Sequence, residues 1–199
     1  MNGYAMIRAV GKTLVSLLQE EMTLVDDNEV ALTSPAELDG QTHPRVTLFL
    51  YRVSKNGHLQ NAERPATGDV QPRQPLTVDL HYFLTTHPRS SRNTPMTVTE
   101  EQHTVLGEAM QVFHDHGTLS GSRLKEALEG GKEIHITMAD ESTEELTNIW
   151  STFEDHPFRV SVSYEVGPVE IASTDSESLQ RVVETEQSTG LGNTEDADE

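Results

Sequence analysis

Cysteine is absent from this chain of 199 residues, which excludes disulfides and any chemistry that needs a thiolate. Basic residues are scarce: 14 lysines and arginines stand against 33 aspartates and glutamates, for a formal net charge of -19. Nucleic-acid phosphates are bound by clustered basic residues, so an ordinary nucleic-acid binder is excluded, and docking on anionic lipid is disfavoured. No apolar run approaches the roughly 18 residues of a spanning helix, and no secretory signal pattern is visible. We therefore expect a cytoplasmic protein without membrane insertion.

The negative charge is not confined to the end of the chain. Eight acidic residues and one arginine lie beyond residue 172, so most of the surplus belongs to the part before it. The chain also has only four lysines against ten arginines. In roughly molar salt, charges are screened within about 3 Å, and such acidity is tolerated. We expect a protein of a halophilic archaeon, with an ordinary acidic protein as the alternative.

Motifs of nucleotide, hydrolase and zinc-protease sites are missing: the chain contains no GxxxxGK[ST], GxGxxG, GxSxG or HExxH. His114 and His116 form the only close histidine pair, and on a helix their rings diverge by about 200°. Metal ligands on one helical face need a spacing of three or four. His81 and Asp79 could form a carboxylate–imidazole pair, but no serine or cysteine nucleophile stands in recognisable relation to them. We predict no catalytic residue, no metal and no cofactor.

Two long alternating runs dominate what is present: VTLFLYRV at 46–53 and PLTVDLHYFLTTH at 75–87. A period of two is that of a β-strand. The second run predicts a strand with one wholly buried face and one mixed, half-exposed face. The buried face would comprise Leu76, Val78, Leu80, Tyr82 and Leu84, and the mixed face Thr77, Asp79, His81 and Phe83. Long strands without a chemical motif beside them indicate a scaffold rather than an enzyme.

Three stretches repeat apolar residues at steps of three and four, the period of an amphipathic helix. The first runs from Tyr4 to residue 22. The second starts near residue 97 or 99, where Thr99 and Gln102 have the spacing of a capping box. The third starts near Ser142. Helices of this kind are expected to cover a sheet.

Shorter elements complete the predicted domain. Strands are expected at 29–32, 133–138 and 159–166, and a short helix at 122–128. Inward-facing residues of the last two strands would be Ile134, Ile136, Met138, Val160, Val162, Tyr164 and Val166. The pattern predicts one α/β (α+β) domain over residues 1–172, a mixed, mainly antiparallel sheet flanked by two or three helices. Residues 173–199 are polar and acidic, which predicts a disordered tail.

Four segments of the chain resemble one known family. They are LFLYRVSKNGHLQN at 48–61, then 75–87, 106–119 and 145–171. The family was first catalogued as a domain of unknown function and comprises cap, or tail-terminator, proteins of extracellular contractile injection systems. The Photorhabdus virulence cassette and the Serratia antifeeding prophage belong to this class. The likeness covers residues 4 to about 171 in order.

The resemblance implies a fold related to phage tail terminators. It also implies a homo-oligomeric ring, a hexamer, that closes the far end of the inner tube and contacts the last layer of sheath protein. The particle would be assembled in the cytoplasm and could be released from the cell. Two other interpretations stay open: an adaptor that tethers the particle to a membrane partner or cargo, and, more remotely, a metal-dependent hydrolase.

The exposure pattern suggests contact residues for such a ring, tube or sheath interface. The candidates are Arg52, Asn56, Asn61, Asp79 and His81. Asp79 and His81 belong to the mixed strand face, Arg52 closes the first long strand, and the two asparagines lie in the loop that follows it. Arg52 is also expected to pair with a carboxylate on an adjacent strand.

Overall fold

The computed structural model of this protein describes residues 3–38, 44–57, 70–72, 74–88, 95–153, 156, 158–173 and 176–178. Its α-helices in these ranges are α1 (Met6–Glu21), α2 (Pro95–Asp115) and α3 (Thr143–Trp150). The strands are β1 (Val30–Leu32), β2 (Val46–Lys55), β3 (Val70–Pro72), β4 (Leu76–Thr86), β5 (Thr118–Leu119), β6 (Ile134–Met138), β7 (Ser161–Ile171) and β8 (Ser176–Ser178).

Six of the strands form one mixed sheet in the order β1-β2-β4-β7-β6-β5. Only β1 and β2 run parallel, and the other neighbours are antiparallel. The long strands β2, β4 and β7 occupy the centre, where their apolar alternation can be buried by layers above and below. The predicted fold class, a mixed and mainly antiparallel sheet with flanking helices, is confirmed.

Helices α1 and α2 cover one face of this sheet. Leu14 of α1 is fully buried, and the ring of Phe113 in α2 meets Tyr164 of β7 edge-on, with ring centroids 4.9 Å apart. Helix α1 also approaches β1 closely at Gly11. A Cβ added at Gly11 would lie only 2.6 Å from Cδ2 of Leu32. This helical layer buries the apolar side of the strands and holds the main core.

Helix α3 and the residues after it cover the opposite face. Phe153 packs edge-on against Phe49 of β2 and against Trp150, at centroid distances of 5.6 and 5.4 Å. Trp150 is buried, and its Nε1 has no hydrogen-bond partner among the described residues. Beside this cluster the ring of Tyr51 stacks on Phe83 at 4.2 Å. The central strand β4 is therefore enclosed on both sides, whereas β6 keeps one face exposed.

Enclosure on both sides corrects the predicted faces of β4. Thr77, Asp79, His81 and Phe83, expected on a half-exposed face, are at most 9% exposed. Leu76, expected in the core, is 49% exposed and is the first residue of the strand. Alternation identifies the two sides of a strand, but it does not say whether a second layer covers them.

Three further side chains expected inside are exposed. Tyr4 lies in a 3-10 turn before α1, Met138 ends β6, and Val160 precedes β7. The three predictions are wrong for the same reason. In each case the apolar pattern in the sequence continues beyond the buried part of the helix or strand.

Two of the local predictions about helix starts and turns are also corrected. Helix α2 begins at Pro95, so Thr99 lies inside it and does not cap its start. The predicted helix at 122–128 consists of two 3-10 turns. The start of α3 is confirmed: Ser142 is its N-cap, and Glu145 completes a reciprocal capping box.

A separate two-stranded sheet joins β3 to β8 in antiparallel register. Strand β8 falls within the segment predicted to be a disordered tail; residues 174–175 and 179–199 lie outside the described residues, and the domain boundary at 172 stays a prediction. In the described ranges, no helix combines the length and apolarity needed to cross a membrane.

Candidate assembly surface

A β-bulge in β2 shapes the polar part of the sheet face opposite α1 and α2. Leu50 pairs with Tyr82 and Arg52 with His81, so Tyr51 is an extra residue on β2. The Tyr51 hydroxyl donates to Glu141 Oε1 at 2.9 Å and lies 2.7 Å from Ser163 Oγ. Burial, with a contribution from Glu141, raises the pKa of Tyr51 to about 12, although the Ser163 bond acts in the opposite direction. This hydroxyl therefore stays protonated and links β2 to β7 and to the segment before α3.

His81 lies beside the bulge with its Nε2 atom 2.7 Å from Ser54 Oγ. It is only 5% exposed, and its Nδ1 has no hydrogen-bond partner among the described residues. A serine–histidine pair can transfer a proton, but a nucleophilic serine also needs a carboxylate or similar group to orient the imidazole. Asp79 does not fill that role, because no hydrogen bond joins it to His81 Nδ1; its Oδ1 accepts instead from Asn56 Nδ2 at 3.0 Å. The geometry links strands rather than forming a triad.

No sequence motif identifies Ser54 as the partner of His81. Ser54 pairs with Asp79 across β2 and β4, and it reaches His81 diagonally. This relation follows only from the register after the bulge, which shifts all later pairings by one residue.

Asp79 also accounts for a glycine on the next strand. A Cβ added at Gly167 would lie 2.1 Å from Asp79 Oδ1 and 3.1 Å from its Cγ. The carboxylate occupies the space that any other side chain would need. Gly167 thus allows Asp79 to reach Asn56 while staying in the sheet.

We expect the Gly167→Ala variant to unfold with a free energy about 1.5 kcal/mol lower than the unaltered chain, because the buried carboxylate must be displaced. The matched control is the same change in an Asp79→Ala background, where the space is free. Denaturant unfolding of the four proteins gives the coupling energy. Equal costs of Gly167→Ala in both backgrounds would contradict the contact.

The structure places the predicted contact residues in different environments. Arg52 is exposed and lies in the middle of β2, which continues to Lys55, whereas Asn56 is half-buried. Asp79 and His81 are buried within the subunit, so the exposure on which their assignment rests is wrong. Asn61 lies outside the described residues. The contact role of these residues stays a prediction.

Arg52 does not pair with an adjacent strand as expected. It acts on Glu145 of α3: hydrogen bonds from the Ser142 side chain and backbone lower the pKa of Glu145, and the charge of Arg52 adds a smaller lowering. Arg52 has no carboxylate within 4.0 Å among the described residues. Its guanidinium remains open to a partner.

Neither the histidine pair nor any other described group forms a metal cluster. His116 Nε2 lies 3.5 Å from Glu21 Oε1. Across the described ranges, no three histidine, aspartate or glutamate side chains come close enough to hold an ion.

Among the described residues, both edges of the six-stranded sheet are only partly covered by strand pairing. Strand β1 pairs with β2 at Val46, Thr47 and Leu48 alone, and the next bond is from Thr33 N–H to the Leu48 carbonyl oxygen. At the other edge β5 covers only two residues of β6. Uncovered strand edges are pairing surfaces for another chain.

This fold and sequence match known proteins. A family model described as Pvc16 N-terminal domain matches residues 9–185. The fold is similar to the PVC sheath/tube terminator of an extracellular contractile injection system, at a TM-score of 0.59 and 18% identity, over 96% of this chain and 65% of that one. It is also similar to the anti-feeding prophage cap, a tube-terminating cap, at a TM-score of 0.58 and 17% identity, over 89% and 59%. The chain thus spans about three fifths of both structures' length.

None of the curated proteins matches the chain. The family match includes all four segments that carry the resemblance and extends from α1 to beyond β7. On that ground the chain belongs to the Pvc16 N-terminal domain family.

Proposed function

We propose that this protein is a structural terminator of a phage-tail-like contractile injection particle. It would close the end of the inner tube as a ring and contact the last layer of sheath. The family match over residues 9–185 carries this proposal, and the similarity to a sheath/tube terminator and a tube-terminating cap supports it. The particle would be assembled in the cytoplasm. The described polar cluster supports a structural role, because its side chains bond across strands.

The ring is proposed to contain six copies. A closed cyclic ring needs two different, complementary surfaces on each subunit. Arg52, Asn56 and Asn61 remain proposed contacts to a neighbouring subunit, the tube or the sheath. Asp79 and His81 would act indirectly, by fixing the end of β2 through Asn56 and Ser54.

Charge makes the proposed ring dependent on salt. Copies that each carry a formal net charge of -19 repel one another, and screening at molar salt shortens that repulsion to about 3 Å. We expect rings in molar salt and monomers or unfolded chains in dilute buffer, as proposed for a halophilic protein.

Sedimentation velocity across a salt series, with electron microscopy of the same samples, tests this. Six-fold rings that appear only at high salt support the proposal. A stable oligomer in dilute buffer contradicts the salt dependence, and a monomer at every salt concentration that binds one specific ligand favours the adaptor alternative.

A further inference from the structure

The second half of β2 has backbone groups directed away from the sheet. Asn56 N–H donates to the Thr77 carbonyl oxygen at 3.0 Å. Groups alternate along an antiparallel strand, so Ser54 and Arg52 also face β4, while Val53 and Lys55 direct their N–H and C=O outward. No described strand pairs with them. We call residues 50–55 the open edge of β2.

An apolar groove lies next to this open edge, where β1 ends. It has a volume of about 410 Å³ and separates α1 from β2. Its apolar lining includes Ile7, Leu32, Leu48, Leu50 and Tyr82. A chain that continued the line of β1 along β2 would therefore lay a side chain over this groove. The volume is more than one large apolar side chain needs, and the rim of the groove also includes Arg8 and Glu37.

The open edge also carries unpaired positive charge in an acidic protein. Several other cations have carboxylate partners: Lys12 and Arg8 contact Glu126, and Lys125 contacts Glu20. Arg52 and Lys55, both exposed, have no carboxylate within 4.0 Å among the described residues. Two free cations beside open backbone groups are complementary to an acidic strand.

We propose that the open edge of β2 binds an extended, acidic segment of another polypeptide by strand addition. Its backbone pairs with Val53 and Lys55, one apolar side chain enters the groove, and its acidic residues contact Arg52 and Lys55. This site does not depend on ring formation, because its groups all come from one subunit.

The test uses a short synthetic peptide of alternating threonine and valine with a central leucine for the groove. One glutamate next to the leucine faces the Arg52 side of β2, and a second glutamate two residues from the leucine faces the Lys55 side, because Arg52 and Lys55 lie on opposite faces of the strand. Calorimetry measures binding of this peptide to the full chain at the lowest salt concentration that keeps the chain folded. Val53→Pro removes an outward N–H that has no bond to the described residues, so it should weaken binding about ten-fold. Val53→Ala keeps that N–H and should stay within about three-fold of the unaltered chain.

A charge swap decides the result if the proline variant fails to fold. Arg52→Glu combined with Lys55→Glu should weaken binding of the glutamate peptide about five-fold and favour its lysine counterpart. No binding of either peptide, or binding insensitive to the variants that fold, overturns the proposal. Loss of rings in folded Val53→Pro, without loss of peptide binding, would assign the edge to a second copy. If no variant forms rings, the terminator proposal is contradicted, whereas the strand-addition proposal is decided by peptide binding alone.

Discussion

Replacing Leu84 with alanine is expected to lower the free energy of unfolding by about 3 kcal/mol. Leu84 is fully buried in β4, paired on one side with Leu48 of β2 and on the other with Val162 of β7. The cavity left behind is enclosed by the central strands and by the α1–α2 layer, so little collapse can compensate for the lost contacts. Denaturant unfolding at constant salt measures the difference.

Leu76 provides the control on the same strand. Sequence alternation assigns it to the same face as Leu84, but it is half-exposed at the strand's start. The Leu76→Ala change should therefore cost less than about 1 kcal/mol. Equal losses at the two positions would mean that both leucines belong to the core and that the end of β4 is covered.

Stability is expected to fall by about 2 kcal/mol between pH 7 and pH 5 through His87 alone. His87 is buried, and its Nε2 lies 2.9 Å from Thr47 Oγ1. Burial first, then the charges of Arg159 and His156, lower the pKa of His87 from 6.5 to about 4. The unfolded chain therefore takes up a proton at a higher pH than the folded chain does. The contribution of neutral His87 to the free energy of unfolding is fully present above about pH 6.5. It is lost as the pH falls toward 4.

The His87→Gln variant should remove most of this slope, because glutamine can still meet Thr47 but does not titrate. His103→Gln, at an exposed position of α2, is the matched control and should leave the slope unchanged. Unfolding midpoints between pH 7 and pH 5 give the comparison. Parallel pH profiles for the unaltered chain and His87→Gln would rule out His87 as the cause.

The long elements of this fold can be predicted because their patterns are local. Alternation marks β2, β4 and β7, and apolar steps of three and four mark the three helices. The capping box at Ser142 is local too, and it is confirmed. Strand order and the parallel pairing of β1 with β2 depend on contacts between distant segments, which no single window contains.

The candidate site was less predictable for a related reason. Asp79 and His81 alternate with apolar residues, a pattern shared by exposed and enclosed strands. Their contacts come from segments distant in sequence: Ser54 and Tyr51 meet His81, and Asn56 bonds Asp79. The partner Ser54 depends on one extra residue at Tyr51. Polar side chains on an enclosed face find partners across strands, and those pairs follow from register rather than from sequence spacing.

The layer around α3 gives the molecule an internal optical reporter. Trp150 is the only tryptophan in the chain, and it is held between Phe153 and Phe158 on the side of the sheet away from α1 and α2. Its fluorescence therefore changes as soon as this layer detaches, while circular dichroism reports the helices and strands together. The two signals separate the loosening of one side of the sheet from the collapse of the whole domain.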